Sequence, residues 1–315
     1  MAFSQSPAPW ADPSPHKASL VTVDKDLRLE VLDWGGSGKP LVLLAGAGDT
    51  AHVYDDFAPK LTAEYHVYGI TRRGFGASVY PGSDYGADRL GDDVLAVLDS
   101  LKLTKPVLIG HSLAGEELSS IANRYPQRVA ALVYLDAAYP YAFDNGKGAS
   151  MSELRGGGPR PPGPGPDDLA SFSALAKWAA RVQGFALPEA ELRQIYDSTP
   201  DGAVGKRRVP AGAAGLASGM KKFATIPVPA LVIFAIPHAQ GTWIKNSADP
   251  AVQEAAKKFA ALETSLAERQ AKAIEDAVPT VHVVRIPFAS HVIFISNEAD
   301  VLHEMKAFLG TLEKH

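Results

Sequence analysis

Ser112 lies inside PVLIGHSLAGEELSS, residues 106–120, where an apolar run gives way to small and polar residues and then to a helical spacing. A serine hydroxyl is a weak nucleophile until a base takes its proton and an acid steadies that base, so its partners must come from elsewhere in the chain. Nine histidines compete for the role of base. His291 follows the branched run VHVVRIP, His238 follows ALVIFAIP, and His111 adjoins the serine but points away from its hydroxyl. His303 falls in a terminal helix, on its solvent side, while His16 and His315 sit near the chain ends. Asp136 ends the run ALVYLDA, and Asp249 precedes Pro250, where it fits a helix N-cap. Together these residue types could carry acyl transfer through a covalent serine intermediate. The amide of Leu113, at the positive start of the next helix, would receive the oxyanion. Taken alone, Ser112 reads as an ordinary helix N-cap, and only its company points to chemistry.

Such a constellation needs strand ends to hold it, because in an open parallel sheet ligands bind at the carboxyl ends of the strands. ASLVTVDKDLRLEVLDW, residues 18–34, alternates with period two on both sides of Asp24 to Asp26 and reads as a β-hairpin. Then follow PLVLLAG from Pro40, HVYGIT from His66, PVLIG from Pro106, ALVYLDA from Ala131, ALVIFAI from Ala230 and VHVVRIP from Val281. Continuous branched runs of this kind suit strands buried on both faces of a parallel sheet. Helical spacing separates them, in RLGDDVLAVLDSLKL from Arg89 and EELSSIANRYPQRV from Glu116. The pattern predicts an α/β fold: a mostly parallel twisted sheet with helices on both faces and right-handed crossovers.

Residues 138–225 break this rhythm and are expected to form a helical cap inserted over the strand ends, leaving residues 18–137 and 226–315 as the core. The interval contains RGGGPRPPGPGPDD from Arg155, which cannot hold a helix. Helix-like pieces follow from Asp168 and from Leu187. A further helix is predicted from Pro250 to Val278, with Val252, Phe259, Leu262, Leu266 and Ile274 on its buried face.

Bulk properties restrict the alternatives. In 315 residues, 46% apolar and 21% charged, there is room for one large domain with an insertion or for two ordinary ones. A net charge of −4 gives no basic footprint, so nucleic acid is not an expected partner. The absence of cysteine excludes disulfides, thiolate metal sites and a thiol nucleophile. No apolar run reaches the ~18 residues of a membrane span, so stable membrane insertion is not expected. Residues 1–17 read as a disordered leader. Its small residues Ala2 and Ser4 before Gln5 fit the stump of a removed signal peptide, which would place the protein outside the cytoplasm or in a periplasm. A cytoplasmic tail is the alternative.

These motifs resemble those of the α/β-hydrolase superfamily from about Leu27 to Leu312, the cap excepted. GHSLAG is similar to the GxSxG nucleophile elbow, with Ala114 in the place of the last glycine and Gly115 following it. TRRGFGAS resembles the RGxGxS loop at Arg73, Gly74, Gly76 and Ser78, and FASHVIFISNEADVLHEMKAFL resembles the segment that holds the catalytic histidine. The resemblance implies Ser112 as nucleophile and His291 as base. In AGAGDT, Ala45 replaces the family's usual histidine, Gly46 matches, and the amide of Ala47 inherits the second oxyanion donor. The acid departs from the commonest pattern: PHAQ from Pro237 has no carboxylate where most members carry one. Asp136, one strand earlier, resembles the arrangement of some lipases and haloalkane dehalogenases, with Asp249 as its rival. Gly46, His111 and His238 are expected at the substrate, and Asp49 and His52 could touch it or merely cap the next helix.

The function implied is hydrolysis of a small-molecule carboxylic ester, with no cofactor and no metal. A serine argues against the epoxide-hydrolase and dehalogenase branches, which use aspartate at that position. Amide, lactone or carbon–carbon hydrolysis remains open, as does a non-catalytic receptor for a small ligand.

Overall fold

Alternate residues along the central strands face opposite layers of the core. In the strand Ala230–Ala235, Ala230, Val232 and Phe234 join one apolar cluster while Leu231, Ile233 and Ala235 join another. Neither face sees water, so the run carries no polar alternation. The same holds for the strand Val107–His111, where Leu108 faces one layer and Val107 and Ile109 the other.

The computed structural model describes residues 10–153, 157–216 and 219–312. Ala2, Ser4 and Gln5 of the supposed cleavage motif, residues 155 and 156 of the proline- and glycine-rich passage, and His315 lie outside the described residues. The strands are β1 (Lys17–Asp24), β2 (Leu27–Gly35), β3 (Pro40–Leu44), β4 (His66–Ile70), β5 (Val107–His111), β6 (Ala131–Leu135), β7 (Tyr196–Ser198), β8 (Val204–Arg207), β9 (Ala230–Ala235) and β10 (Val281–Ile286). The helices are α1 (Ala87–Ser100), α2 (Ala114–Arg124), α3 (Phe172–Gln183), α4 (Glu189–Ile195), α5 (Ala213–Leu216), α6 (Thr242–Lys245), α7 (Pro250–Ala277), α8 (Ile293–Ser296) and α9 (Glu298–Thr311).

Eight strands form one sheet in the order β1-β2-β4-β3-β5-β6-β9-β10. The hairpin β1–β2 and the pair β2–β4 are antiparallel, and every other neighbour in this sheet is parallel. Val94 and Leu98 of α1, Leu118 and Ile121 of α2 and Ile274 of α7 cover one face. Val301, Met305 and Leu309 of α9 cover the other, together with Val53 and Phe57 from the segment after β3. The expected two-faced α/β sheet is therefore present.

Between β6 and β9 lie α3, α4, the two-stranded β7–β8 hairpin and α5. Ser171 caps α3 by accepting from the Ala174 amide at 3.1 Å, and Gly184 ends it at φ +92°. Helix α7 matches its expected face in part. Leu262 is 49% exposed, while Ala256, Leu266, Ala267, Ala271, Ala273 and Ile274 are buried. Leu266 and Ile274 hold the expected face, but the rest of the contact stripe is lined largely by alanines, and Leu262 turns outward.

Candidate active site

Strand β5 delivers Ser112 into the left-handed region at φ +49°, a conformation that a non-glycine residue adopts only under constraint. The constraint is close packing on either side. A Cβ on Gly110 would stand 2.6 Å from Leu118 Cδ1, and one on Gly115 only 2.0 Å from the Ala137 carbonyl oxygen. Ala114, by contrast, is fully buried without such a conflict, so the backbone contact that demands glycine falls on the next residue. Leu113 is the N-cap of α2 and supplies no side-chain cap; the hydroxyl of Ser112 turns instead to His291.

The neighbouring strand repeats the device. Asp136, directly after β6, also has positive φ, +47°, and its amide donates to Ile233 O at 2.7 Å. Because β5 and β6 are adjacent and parallel, their carboxyl ends set Ser112 and Asp136 side by side. His291 arrives from the loop after β10. The Ser112 hydroxyl donates to His291 Nε2 at 2.8 Å, and His291 Nδ1 donates to Asp136 Oδ2 at 2.6 Å, the proton positions following from these partners.

Asp136 is completely buried yet fully satisfied. Its Oδ1 accepts from the Tyr139 hydroxyl at 3.0 Å and the Ala235 amide at 3.1 Å, and its Oδ2 accepts from His291 and from His238 Nε2, the latter at 2.7 Å. Burial alone would raise its pKa. The two imidazoles outweigh burial and hold it well below the usual carboxylate range. His238, expected at the substrate, stands on the far side of this carboxylate with Nδ1 3.3 Å from Glu263 Oε2. Burial works against its charge, but the two carboxylates raise its pKa to about 10, so it is an imidazolium at neutral pH.

His111 is buried beneath the site rather than facing it. Its Nε2 donates to the backbone carbonyl of His291 at 2.9 Å, and burial, reinforced by His291, depresses its pKa to about 3. It therefore stays neutral and holds the histidine loop from below. Gly46 touches the same group: a Cβ there would meet His111 Nδ1 at 2.8 Å and Ser112 Cβ at 3.1 Å. The competing aspartate, Asp249, caps α7 by accepting from the Ala251 amide at 2.8 Å and is exposed. His303 is exposed on α9. His16 is anchored rather than loose, with Nδ1 2.7 Å from Asp55 Oδ1.

Ala47 and Leu113 line a cavity of about 480 Å³, with Phe75, Leu216 and Met220 supplying apolar wall and Arg207 a cation. Among the described residues, neither the Ala47 nor the Leu113 amide has a protein acceptor. The loop that carries Ala47 is clamped by Arg72, which donates to Ala45 O at 2.9 Å and Gly46 O at 3.1 Å and pairs with Glu117 on α2. Sequence reasoning passed over Arg72 for its neighbour. Arg73 makes a two-pronged pair with Asp93 on α1, away from the cavity. Thr50, rather than Asp49, caps the turn at Ala51–Tyr54, and both its amide and hydroxyl donate to Glu191 of α4. Burial pushes the carboxyls of Asp49 and Glu191 upward, and the Asp49 charge adds to the rise at Glu191.

Comparison with known proteins agrees with this architecture. A sequence profile described as the alpha/beta hydrolase family matches residues 41–304. Epoxide hydrolase 4 of Mus musculus is 33% identical over 146 residues, covering 45% of this chain and 41% of that protein. The chain thus spans less than half the length of the curated relatives it matches first. In structure it is similar to E-2-(acetamidomethylene)succinate hydrolase, with a TM-score of 0.64 and 17% identity over 94% of this chain and 99% of the other. It is also similar to a carboxylesterase from Bacillus subtilis, with a TM-score of 0.56 and 14% identity over 94% and 92%. At these identities the likeness concerns the fold alone.

Proposed function

We propose that this chain, which belongs to the alpha/beta hydrolase family, is a serine hydrolase that cleaves small carboxylic esters through an acyl-enzyme. The observation that carries the reading is the unbroken chain from Ser112 Oγ through His291 to the buried carboxylate of Asp136. Ser112 Oγ attacks the ester carbonyl carbon while its proton passes to His291 Nε2. The carbonyl oxygen becomes negative within reach of the Ala47 and Leu113 amides. The imidazolium, steadied by Asp136, returns its proton to the departing alkoxide, and the alcohol leaves. Water then repeats the sequence on the acyl-serine and releases the acid.

Similarity to epoxide hydrolase 4 does not extend to an epoxide-opening role, because a serine stands where that branch of the fold carries its aspartate nucleophile. Purified protein should hydrolyse p-nitrophenyl butyrate, and Ser112→Ala should lower turnover by several orders of magnitude, ~10⁶ in the strongest precedents, without loss of fold. Turnover of Ser112→Ala within tenfold of the parent would refute the role of Ser112, and no turnover across a panel of short esters would refute the ester reading.

Arg207 on the cavity wall favours a second reading, in which the substrate carries a carboxylate of its own. The succinate in the name of the structurally similar hydrolase is of that kind. Arg207→Gln should then raise KM by roughly tenfold for hemi-esters of dicarboxylic acids, the worth of one charge-assisted contact, and leave neutral esters unchanged. Equal effects on both would remove this reading.

A further inference from the structure

Outside the site just described, a second group of titratable side chains gathers where the segment before β1 crosses the turn Ala51–Tyr54. One donor atom from each of Asp12, His16, His52 and Asp55 lies within 4.8 Å of the others. The side chains of His16, His52 and Asp55 are shielded, at 6%, 6% and 2% exposure, and Asp12, at 25%, lies at the open rim. His16 and His52 meet edge to face with ring centres 5.0 Å apart.

Three of the six donor separations match those of a coordination shell, and all six fall within 4.8 Å. Four N and O donors placed tetrahedrally at the ~2.0–2.1 Å typical of zinc stand about 3.3–3.4 Å from one another. His16 Nε2 is 3.6 Å from Asp12 Oδ2, His52 Nδ1 is 3.4 Å from the same oxygen, and His52 Nδ1 is 3.2 Å from Asp55 Oδ2. The nitrogen that each ring does not contribute faces a carboxylate, as it does in metal sites where an outer carboxylate fixes the tautomer. His16 Nδ1 lies 2.7 Å from Asp55 Oδ1, and His52 Nε2 lies 3.5 Å from Glu30 Oε1. Trp34 Nε1 also donates to Asp55 Oδ1 at 3.1 Å, and Asp55 Oδ2, hydrogen-bonded to His52 Nδ1 at 3.2 Å, is the oxygen turned toward the other donors.

Charge points the same way. Three carboxylates, Asp12, Asp55 and Glu30, surround two imidazoles, and among the described residues no lysine or arginine pairs with any of them. A divalent ion supplies the missing positive charge through four donors at once.

We infer that Asp12, His16, His52 and Asp55 form a binding site for one divalent transition-metal ion, and two imidazoles with two carboxylates fit zinc. The ion would staple the segment before β1 to the turn that follows the Ala47 loop. That segment also reaches the insertion, where Arg193 of α4 lies over the Trp10 ring at 4.5 Å. The site is therefore structural. It stands apart from the Asp136, His238 and His291 cluster, where both imidazoles donate to Asp136 Oδ2.

The test uses the full chain without an affinity tag, stripped with chelator and titrated with zinc chloride. Native mass spectrometry and calorimetry give the stoichiometry, and thermal melting gives an independent readout. One zinc per chain should bind, raise the melting temperature and protect the segment before β1 from proteolysis. Asp12→Ala and His16→Ala, at the edge of the fold, should weaken binding by at least the roughly 10–100-fold that follows loss of a supporting partner. Asp12→Asn gives a more conservative second variant, and circular dichroism checks that each is folded. Absence of binding at ~100 µM zinc, a concentration at which a four-ligand site should be saturated, would overturn the inference. Binding of equal affinity in the parent and the variants would also overturn it, because that zinc sits elsewhere, the triad cluster included.

Discussion

Asp136→Asn tests the proposed acid at the level of single hydrogen bonds. Four donors converge on this carboxylate: the Tyr139 hydroxyl and Ala235 amide on Oδ1, and His238 and His291 on Oδ2. An asparagine keeps the shape but can present acceptors on one side only. If its amide faced Ala235, a fixed backbone N–H would be left without an acceptor at a cost of about 1–3 kcal/mol. The asparagine oxygen therefore stays with Tyr139 and Ala235, and its NH₂ group meets the imidazoles. His291 must then offer a lone pair at Nδ1 and carry its proton on Nε2, which points at Ser112. In that tautomer it cannot accept the serine proton. The expected loss in kcat is ~10⁴, on the precedent of a triad aspartate changed to asparagine. That corresponds to about 5.4 kcal/mol in the barrier. The assay is p-nitrophenyl butyrate turnover with folding checked by circular dichroism, and Asp249→Asn as control. Asparagine caps a helix about as well as aspartate, so the control should stay within roughly twofold. An Asp136→Asn enzyme within tenfold of the parent, or an inactive Asp249→Asn, would refute the assignment.

Two further variants probe the packing around the elbow. Gly115→Ala would put a methyl group 2.0 Å from the Ala137 carbonyl oxygen, so the segment after Asp136 must move by more than about 1 Å. Overpacking of that size costs about 1–3 kcal/mol, and a misplacement near 1 Å costs ~10² in rate. Urea unfolding and kcat should both register it, and a neutral result in both would show that the elbow tolerates a side chain there. Glu116 is buried, neither oxygen has a hydrogen-bond partner among the described residues, and burial followed by its neighbour Glu117 raises its pKa from 4.5 to about 8. The unfolded chain ionises it above pH 4.5 and the folded chain only near pH 8, so stability falls as pH rises between these values. Glu116→Gln removes that slope and should gain on the parent by about 3 kcal/mol between pH 5 and 7. Parallel stability curves would show that the carboxyl has found another partner.

What could be read from the sequence, and what could not, follows from the range of the interactions. The central strands were legible because burial on both faces writes an unbroken apolar run, as in ALVIFAI. Hairpin β7–β8 was missed because Tyr196–Ser198 and Val204–Arg207 are short, largely exposed and without a hydrophobic period. Nothing local marks Asp136 as a left-handed residue, since only glycine advertises that conformation. His238 was visible only as a histidine after a strand. Its pairing spans 102 residues, and the pairing of His291 with the same oxygen spans 155. Both depend on the order β5-β6-β9-β10, which sets the ends of chain-distant strands next to one another. A run of apolar residues declares that a strand is central without naming its neighbour. The side chains at its carboxyl end can be recognised as capable of chemistry before it is known which of them will meet. The same reasoning separates the two histidines on Asp136: His291 is held by the loop after β10, where it can turn toward Ser112, whereas His238 is paired into the ladder beside Ala289 and can only support the acid from behind.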